Sequence, residues 1–343
     1  SINSNNTLTS TVLADIQKDW RYSVLAGGLG LAADGLYNLG STAEPDFVDG
    51  TYYDYMLARF SATFNYNFSD KLFVDFNTVY EGNSRFDEDN RFNMFFSGGV
   101  AYVLSNEQFF ESLDFLNYLR VKFSIGQTGN ANVGVNQYQA FVGFGAYNDT
   151  PSINIGQLGN NVLTWEKALA YDASLDFELF NRVTGSFTYY RKNSSDLLFN
   201  VPLSRTTGHS AQERNIGELF NDGIELELEG DIVRTQDFNL SLSGNVTTVR
   251  NQITNLPVDG NGDVIEITSS LYYTAVEGYA VGSFYTREWA GVHPNNGDPL
   301  WYVTDDNGNR TTTNNYNSAS LYPFKKNADP NIFGSFTANV SYK

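Results

Sequence analysis

Residues 237–250, DFNLSLSGNVTTVR, alternate strictly. Phe238, Leu240, Leu242, Gly244 and Val246 fall on one face, and Asn239, Ser241, Ser243, Asn245 and Thr247 on the other. A period of two marks a strand with one apolar and one polar face, because successive side chains point to opposite sides of the pleat. The pattern recurs in 54–67, where Met56, Ala58, Phe60, Ala62, Phe64 and Tyr66 alternate with Leu57, Arg59, Ser61, Thr63 and Asn65. It recurs in 168–177 and again in 223–230, where Ile224, Leu226 and Leu228 interleave with Glu225, Glu227 and Glu229. Ten strands are predicted, at about 19–30, 54–67, 71–82, 94–104, 118–127, 165–178, 182–193, 219–231, 237–250 and 332–343. Ordinary globular strands run ~5–6 residues and bilayer-crossing strands ~9–11, so these lengths favour a barrel wall.

The connections sharpen this. Asn67–Lys71, Leu179–Arg182 and Asp231–Asp237 read as tight turns, whereas 83–93, 128–164, 194–218 and 251–331 are long and polar. Alternation of short and long connections is the asymmetry of an outer-membrane barrel, with short periplasmic turns and long extracellular loops. Residues 105–117, SNEQFFESLDFLN, differ: Ser105 and Gln108 have capping-box spacing, which predicts one or two helical turns at the short-turn end. The fold class expected is all-β, an antiparallel transmembrane β-barrel with long extracellular loops.

Composition narrows the function. Lys+Arg 21 against Asp+Glu 39 gives a net charge of −18, which opposes nucleic-acid binding. An apolar content of 41% with 15% aromatic residues does not suit disorder, and charged residues are only 17%. There is no Cys and only two His, so thiolate chemistry and multi-His metal centres are excluded and no cofactor is expected. No apolar run approaches the length of a transmembrane helix.

Candidate chemistry is sparse. Gly28-x-Gly30-x-x-Ala33 echoes a dinucleotide fingerprint, but no apolar helical stripe follows it, so a Gly-rich strand end is the better reading. Asp259-x-Asn261-x-Asp263 copies the start of a calcium loop, yet Val264 and Ser270 stand where Gly and Glu are required. Asp305-Asp306-Asn307-Gly308 reads as a turn. His209, Ser210 and Asp222 lack any hydrolase spacing, and His293 reads as a loop packing residue. Tyr52-Tyr53-Tyr55, Phe95-Phe96 and Tyr189-Tyr190 fall near strand ends, where an aromatic girdle meets the lipid interface. Trp289, Trp301 and Tyr302 in the longest loop are candidate ligand contacts, or else the loop's own small core. Glu225, Glu227 and Glu229 form an acidic row that must face the lumen rather than lipid.

Several phrases resemble one family. FSIGQTGN (123–130) resembles the S-x-G-Q-T-G-N signature of SusC/RagA-type TonB-dependent outer-membrane transporters. LTWEKALAYDASLDF (163–177), RVTGSFTYYRKNSSDLLFN (182–200), NIGELFNDGIEL (215–226), VGSFYTREWAGVHPNNGDPLWY (281–302) and DPNIFGSFT (329–337) match in order and spacing. The resemblance implies a barrel of about 22 strands around a plug. It also implies TonB-energised import of oligosaccharides, glycans or peptides across the outer membrane of a Gram-negative bacterium, with a SusD-like surface lipoprotein as partner.

No plug sequence or TonB box is recognised, and the last residues fall inside the tenth strand. Residues 1–343 are therefore expected to be part of one β-barrel domain, its plug, TonB box and C-terminal strands lying outside this chain. The TonB complex would be engaged through that missing N-terminal region. No enzyme activity is expected. Two alternatives stay open: a barrel scaffold, such as an adhesin or secretion-complex component, and an outer-membrane hydrolase.

Overall fold

A computed structural model describes residues 5–110, 112–148, 150–258, 264–265, 267–270, 273–305 and 307–343. One antiparallel sheet dominates, built from β1 (Asn6–Leu31), β2 (Thr42–Phe68), β3 (Leu72–Asn83), β4 (Phe92–Val103), β5 (Leu116–Asn130), β6 (Glu166–Leu179), β7 (Val183–Ser195), β8 (Glu218–Arg234), β9 (Phe238–Thr248) and β10 (Ile332–Tyr342). Each of these ten pairs with the next in sequence, so the expected strands and their order are all present, and an eleventh strand, Arg250–Asn255, pairs with the Glu218–Asp222 end of β8. The sheet is open, with β1 and β10 as its edges.

Register carries the two-residue period across the whole sheet. One row runs Leu8, Tyr66, Val74, Val100, Phe123, Ala173, Tyr189 and Ile224. The adjacent row on the opposite face runs Thr9, Asn65, Asp75, Gly99, Ser124, Asp172, Tyr190 and Gly223. The first face is continuous and apolar, yet nothing packs over it, and Phe123 is 46% exposed at mid-strand. A soluble sheet must bury such a face; a membrane wall presents it to hydrocarbon.

The packed core lies instead among the long connections, where Phe86, Phe95, Val133, Leu163 and Trp165 cluster. The Trp165 ring sits 5.4 Å from Phe86 and 5.5 Å from Phe95, and its Nε1 donates to the Arg91 carbonyl at 3.1 Å. The connecting segments 84–91 and 131–165 are thereby clamped to each other.

At the other end, Ser69 and Asp70 (φ 53° and 55°) and Phe180 and Asn181 (φ 56° and 51°) form two-residue turns with both central residues left-handed. That backbone twist suits adjacent antiparallel strands. Side chains support it: Asn67 Oδ1 accepts from Asp70 N at 3.0 Å, and Asn117 Oδ1 from Asn181 N at 2.6 Å.

Three expectations change. First, β1 begins at Asn6 and β2 at Thr42, well before 19 and 54, so the polar opening residues are strand. Residues 6–17 lie in the wall, paired with 57–68 of β2, whereas 18–31 and 42–56 form a two-stranded ribbon beyond β3, whose pairing with β2 starts only at Leu57. Only the 42–53 arm lacks apolar alternation; in 6–17, Leu8, Val12, Ala14 and Ile16 fall on one face. Second, the helical turns are 3-10 turns, Leu104–Asn106 and Gln108–Phe110. The first starts one residue too early for Ser105 to cap it, and Val103 at its N-cap makes no side-chain cap bond. Third, the segregation of loop length has an exception: the 104–115 connection is longer than 84–91 at the opposite end. Successive i→i+3 bonds (Glu107 N to Leu104 O, Phe110 N to Glu107 O, Leu113 N to Phe110 O) fold it back on itself.

Glu107 pins that connection. Its Oε1 accepts from Tyr102 Oη at 2.5 Å and from Lys71 Nζ at 3.1 Å. The Tyr102 hydroxyl first, and then Lys71, hold the carboxyl below its ordinary range. A lowered folded value means the latch contributes fully above the usual carboxylate range and is lost as pH falls through the folded value. Proteolytic nicking of 104–115 should therefore rise on acidification in the wild type, and Glu107→Gln should flatten that rise. An unchanged pH profile in the variant would refute the latch.

The two faces predict a second contrast. Leu242 lies on the apolar face between Gly230 and Ala338, and Ser243 on the polar face between Glu229 and Thr337. A midplane arginine facing lipid costs ~2–4 kcal/mol, and one facing the lumen much less. Leu242→Arg should deplete the heat-modifiable folded band on gels far more than Ser243→Arg.

Candidate functional site

The polar face is built from alternate residues of every strand, so its chemistry is distributed rather than focused. Some carboxylates on it are partnered within the wall. Glu81 faces Arg59 at 3.2 Å, and Asp176 accepts from Arg120 at 2.6 Å and Lys122 at 2.9 Å. Ser124 Oγ donates to Asp172 Oδ2 at 2.9 Å.

The acidic row on β8 is different. Glu225 lies between Thr188 and Thr247, Glu227 between Ser186 and Asn245, and Glu229 between Thr184 and Ser243. All three are exposed and share the polar face with the Arg59–Glu81 pair. Cross-strand neighbours are hydroxyls and amides, and among the described residues no cation pairs with the row. Two residues of rise separate neighbouring carboxylates by ~6.6–6.8 Å, so the row is a stripe of unmatched negative charge along the wall.

Loop aromatics form a second cluster. Trp289 lies on the short strand Trp289–Val292, which pairs with Pro299–Thr304, itself paired with Arg310–Thr313. Trp301 stands edge-on to Trp289 at 5.7 Å and to Tyr316 at 5.2 Å. Tyr302, next in sequence, takes the Arg310 guanidinium over its ring at 3.7 Å, while Arg310 also pairs with Glu288. Trp301 and Tyr302 thus belong to two connected layers of a miniature core, and Trp289, 54% exposed, offers a free face. Sequence reading missed Tyr316 and Arg310, since their place depends on how three short strands stack and no period announces it.

Adjacent aromatics divide between faces. Phe96 lies on the apolar face, whereas Phe95 is 5% exposed and packs on Trp165. Tyr189 faces outward, whereas Tyr190 lies on the polar face and donates to the Thr248 carbonyl at 3.2 Å. Tyr52 is exposed on the ribbon, and Tyr55 carries the Arg85 guanidinium at 3.9 Å. A girdle therefore takes one member of each run, because neighbours on a strand cannot share a face.

The remaining motifs resolve into structure. Gly28 and Gly30 end β1, and a Cβ at Gly28 would meet Thr42 Oγ1 at 2.2 Å, so close strand approach explains the glycine. Asp222 binds Arg250 through both oxygens, at 2.8 and 2.7 Å, and does not orient His209. His293 Nδ1 accepts from Asn295 N at 3.4 Å within its own turn. Asp305 accepts from Asn309 Nδ2 at 3.0 Å and from the Asn309 and Asn307 amides, which hold its carboxyl below the usual range. Asp306, and the Asp259, Asn261 and Asp263 of the calcium-like motif, lie outside the described residues.

Comparison with known proteins gives a consistent result. A family model for the TonB dependent receptor-like β-barrel matches residues 2–342. The TonB-dependent receptor SusC of Bacteroides thetaiotaomicron is 31% identical over 309 residues, covering 84% of this chain and 30% of that protein. The TonB-dependent receptor P3 of Formosa agariphila is 31% identical over 241 residues, covering 67% of this chain and 24% of that protein. The solved RagAB peptide transporter superposes with a TM-score of 0.88 at 30% identity, over all of this chain and 38% of the matched one. The chain thus spans about a third of the length of these relatives.

The loop geometry separates two tryptophans. Trp301 makes two ring contacts, each worth ~0.5–1.5 kcal/mol, and Trp289 one. Trp301→Ala should open the 288–316 segment to protease severalfold faster, and Trp289→Ala should leave the rate within about twofold.

Proposed function

The chain belongs to the TonB-dependent receptor-like β-barrel family, and from that we propose that it forms part of the wall of an outer-membrane importer in a Gram-negative bacterium. The cargo is an oligosaccharide, glycan or peptide, import is energised by TonB, and a SusD-like surface lipoprotein works with the barrel. The observation that carries this reading is the unbroken division of ten strands into an apolar and a polar face. Such a wall separates lipid from a wet lumen, and its work is gated passage rather than bond chemistry.

We infer further that these strands are one portion of a larger barrel domain with a plug, a TonB box and additional strands. Unpaired strand edges are not tolerated in hydrocarbon, and both edges of this sheet are open. The relatives are about three times as long. Trp289, with its free ring face, is the loop residue best placed to stack on a sugar or peptide, while Trp301 and Tyr302 hold it in position. The row Glu225, Glu227 and Glu229 seats the plug by pairing with its basic residues. Glu81 and Asp176 on the same face have cations within the wall, and these three do not.

Uptake of fluorescent oligosaccharides and peptides by cells expressing the full-length protein should vanish when TonB is deleted; TonB-independent uptake would overturn the import reading. Replacing all three glutamates with Gln should leave folding and insertion intact while planar bilayers show a raised basal ion conductance. Wild-type conductance at every salt concentration would return the row to a solvated wall.

A further inference from the structure

The 249–331 connection leaves a cleft of about 810 Å³ where it joins the rim of the sheet. Its wall side is Asn221 of β8, which register sets on the polar face opposite Lys192 of β7. The cleft is braced by short bonds. Val249 N donates to Asn331 O at 2.9 Å, closing the neck of the connection. Asn251 Nδ2 donates to Asn221 Oδ1 at 2.7 Å, and Asn251 Oδ1 accepts from Val281 N at 2.7 Å. The far side is tied in by Phe284 N to Lys326 O at 3.1 Å.

Charge distinguishes this cleft from the rest of a molecule whose net charge is −18. Three cations line it, Arg250, Lys325 and Lys326, against the single carboxylate of Asp329. Arg250 is already neutralised by Asp222. Lys325 and Lys326 are exposed, and among the described residues no carboxylate pairs with either. Two unpaired ammoniums against one carboxylate leave the cleft net positive, which favours an anion there. A second, independent observation lies on the inner wall. Ser283 is 2% exposed, and among the described residues its Oγ has no hydrogen-bond partner. A buried hydroxyl left unpaired is costly, and a polar group entering the cleft is the natural means of relieving it.

We propose that this cleft binds the carboxylate of an acidic oligosaccharide at the mouth of the lumen. The paired ammoniums take the carboxylate. Amide side chains of Asn221, Gln252 and Asn327, which both donate and accept, suit the hydroxyls that surround a uronate group. A neutral sugar would leave both lysines unmatched, and a peptide without acidic side chains would bring a single terminal carboxylate to the two ammoniums. The assignment rests on the import reading and names the class of cargo within it.

The test uses purified full-length protein in detergent, with trigalacturonate as probe and maltotriose and trialanine as controls, followed by calorimetry. Trigalacturonate should bind at least tenfold more tightly than maltotriose, and weaken as salt rises. Lys325→Gln with Lys326→Gln should remove at least tenfold of that affinity while leaving folding and any maltotriose binding unchanged, since both residues are exposed. Ser283→Ala should weaken trigalacturonate severalfold. Equal binding of the two sugars, or trigalacturonate binding indifferent to the lysine pair, overturns the proposal. Trialanine binding as tightly, with the same lysine dependence, overturns its saccharide class. A parallel uptake assay keeps the two readings apart. Loss of all TonB-dependent uptake with lysine-dependent trigalacturonate binding intact removes the import reading and retains the site. TonB-dependent uptake with lysine-independent binding removes the site and retains import.

Discussion

Backbone hydrogen bonding in a medium without water governs the wall. Hydrocarbon satisfies no amide or carbonyl, so each strand must find both partners in its neighbours. The result is a sheet whose ten wall strands each pair with the next in sequence, joined mostly by tight turns at one end. Once that pairing is imposed, the two-residue period does the rest. Side chains divide between lipid and lumen without any tertiary core, and the apolar face stays exposed because lipid, rather than protein, is its partner.

Packing in the ordinary sense is relegated to the loop end. There Trp165 holds Phe86 and Phe95, and the edge-on stack of Trp289, Trp301 and Tyr316 organises a separate small sheet. Water is available at this end, so irregular backbone is tolerated and side-chain contacts can position binding groups. The wall supplies rigidity and the loops supply chemistry. The cleft under the 249–331 connection is a case in point, since one of its sides is a barrel strand and the other is loop.

Charge follows the same division. On the lumen face, the Arg59–Glu81 pair and the Arg120–Lys122–Asp176 group neutralise within the wall, whereas the glutamate row on β8 stays unmatched. Exposed pairs contribute little to stability. A negative stripe along one strand and two unpaired lysines in the rim cleft set opposite charges at separate places on the molecule.

Alternation in residues such as Phe238 to Val246 determined the strands, their faces and their sequential pairing, because a wall between lipid and water has no other periodicity. The acidic row was legible for the same reason: three glutamates two residues apart must share a face. The 42–53 arm of the ribbon was not, since it carries no apolar alternation, whereas its 19–30 partner was read as strand. Nor was the division of Phe95 from Phe96, because the cue that both are aromatic says nothing of which one turns toward Trp165. The cleft that joins Asn221 to Lys325 and Lys326 lay beyond any sequence reading. Residues a hundred positions apart meet there only because the 249–331 connection folds back onto the rim, and loop closure of that length follows from packing rather than from a local pattern.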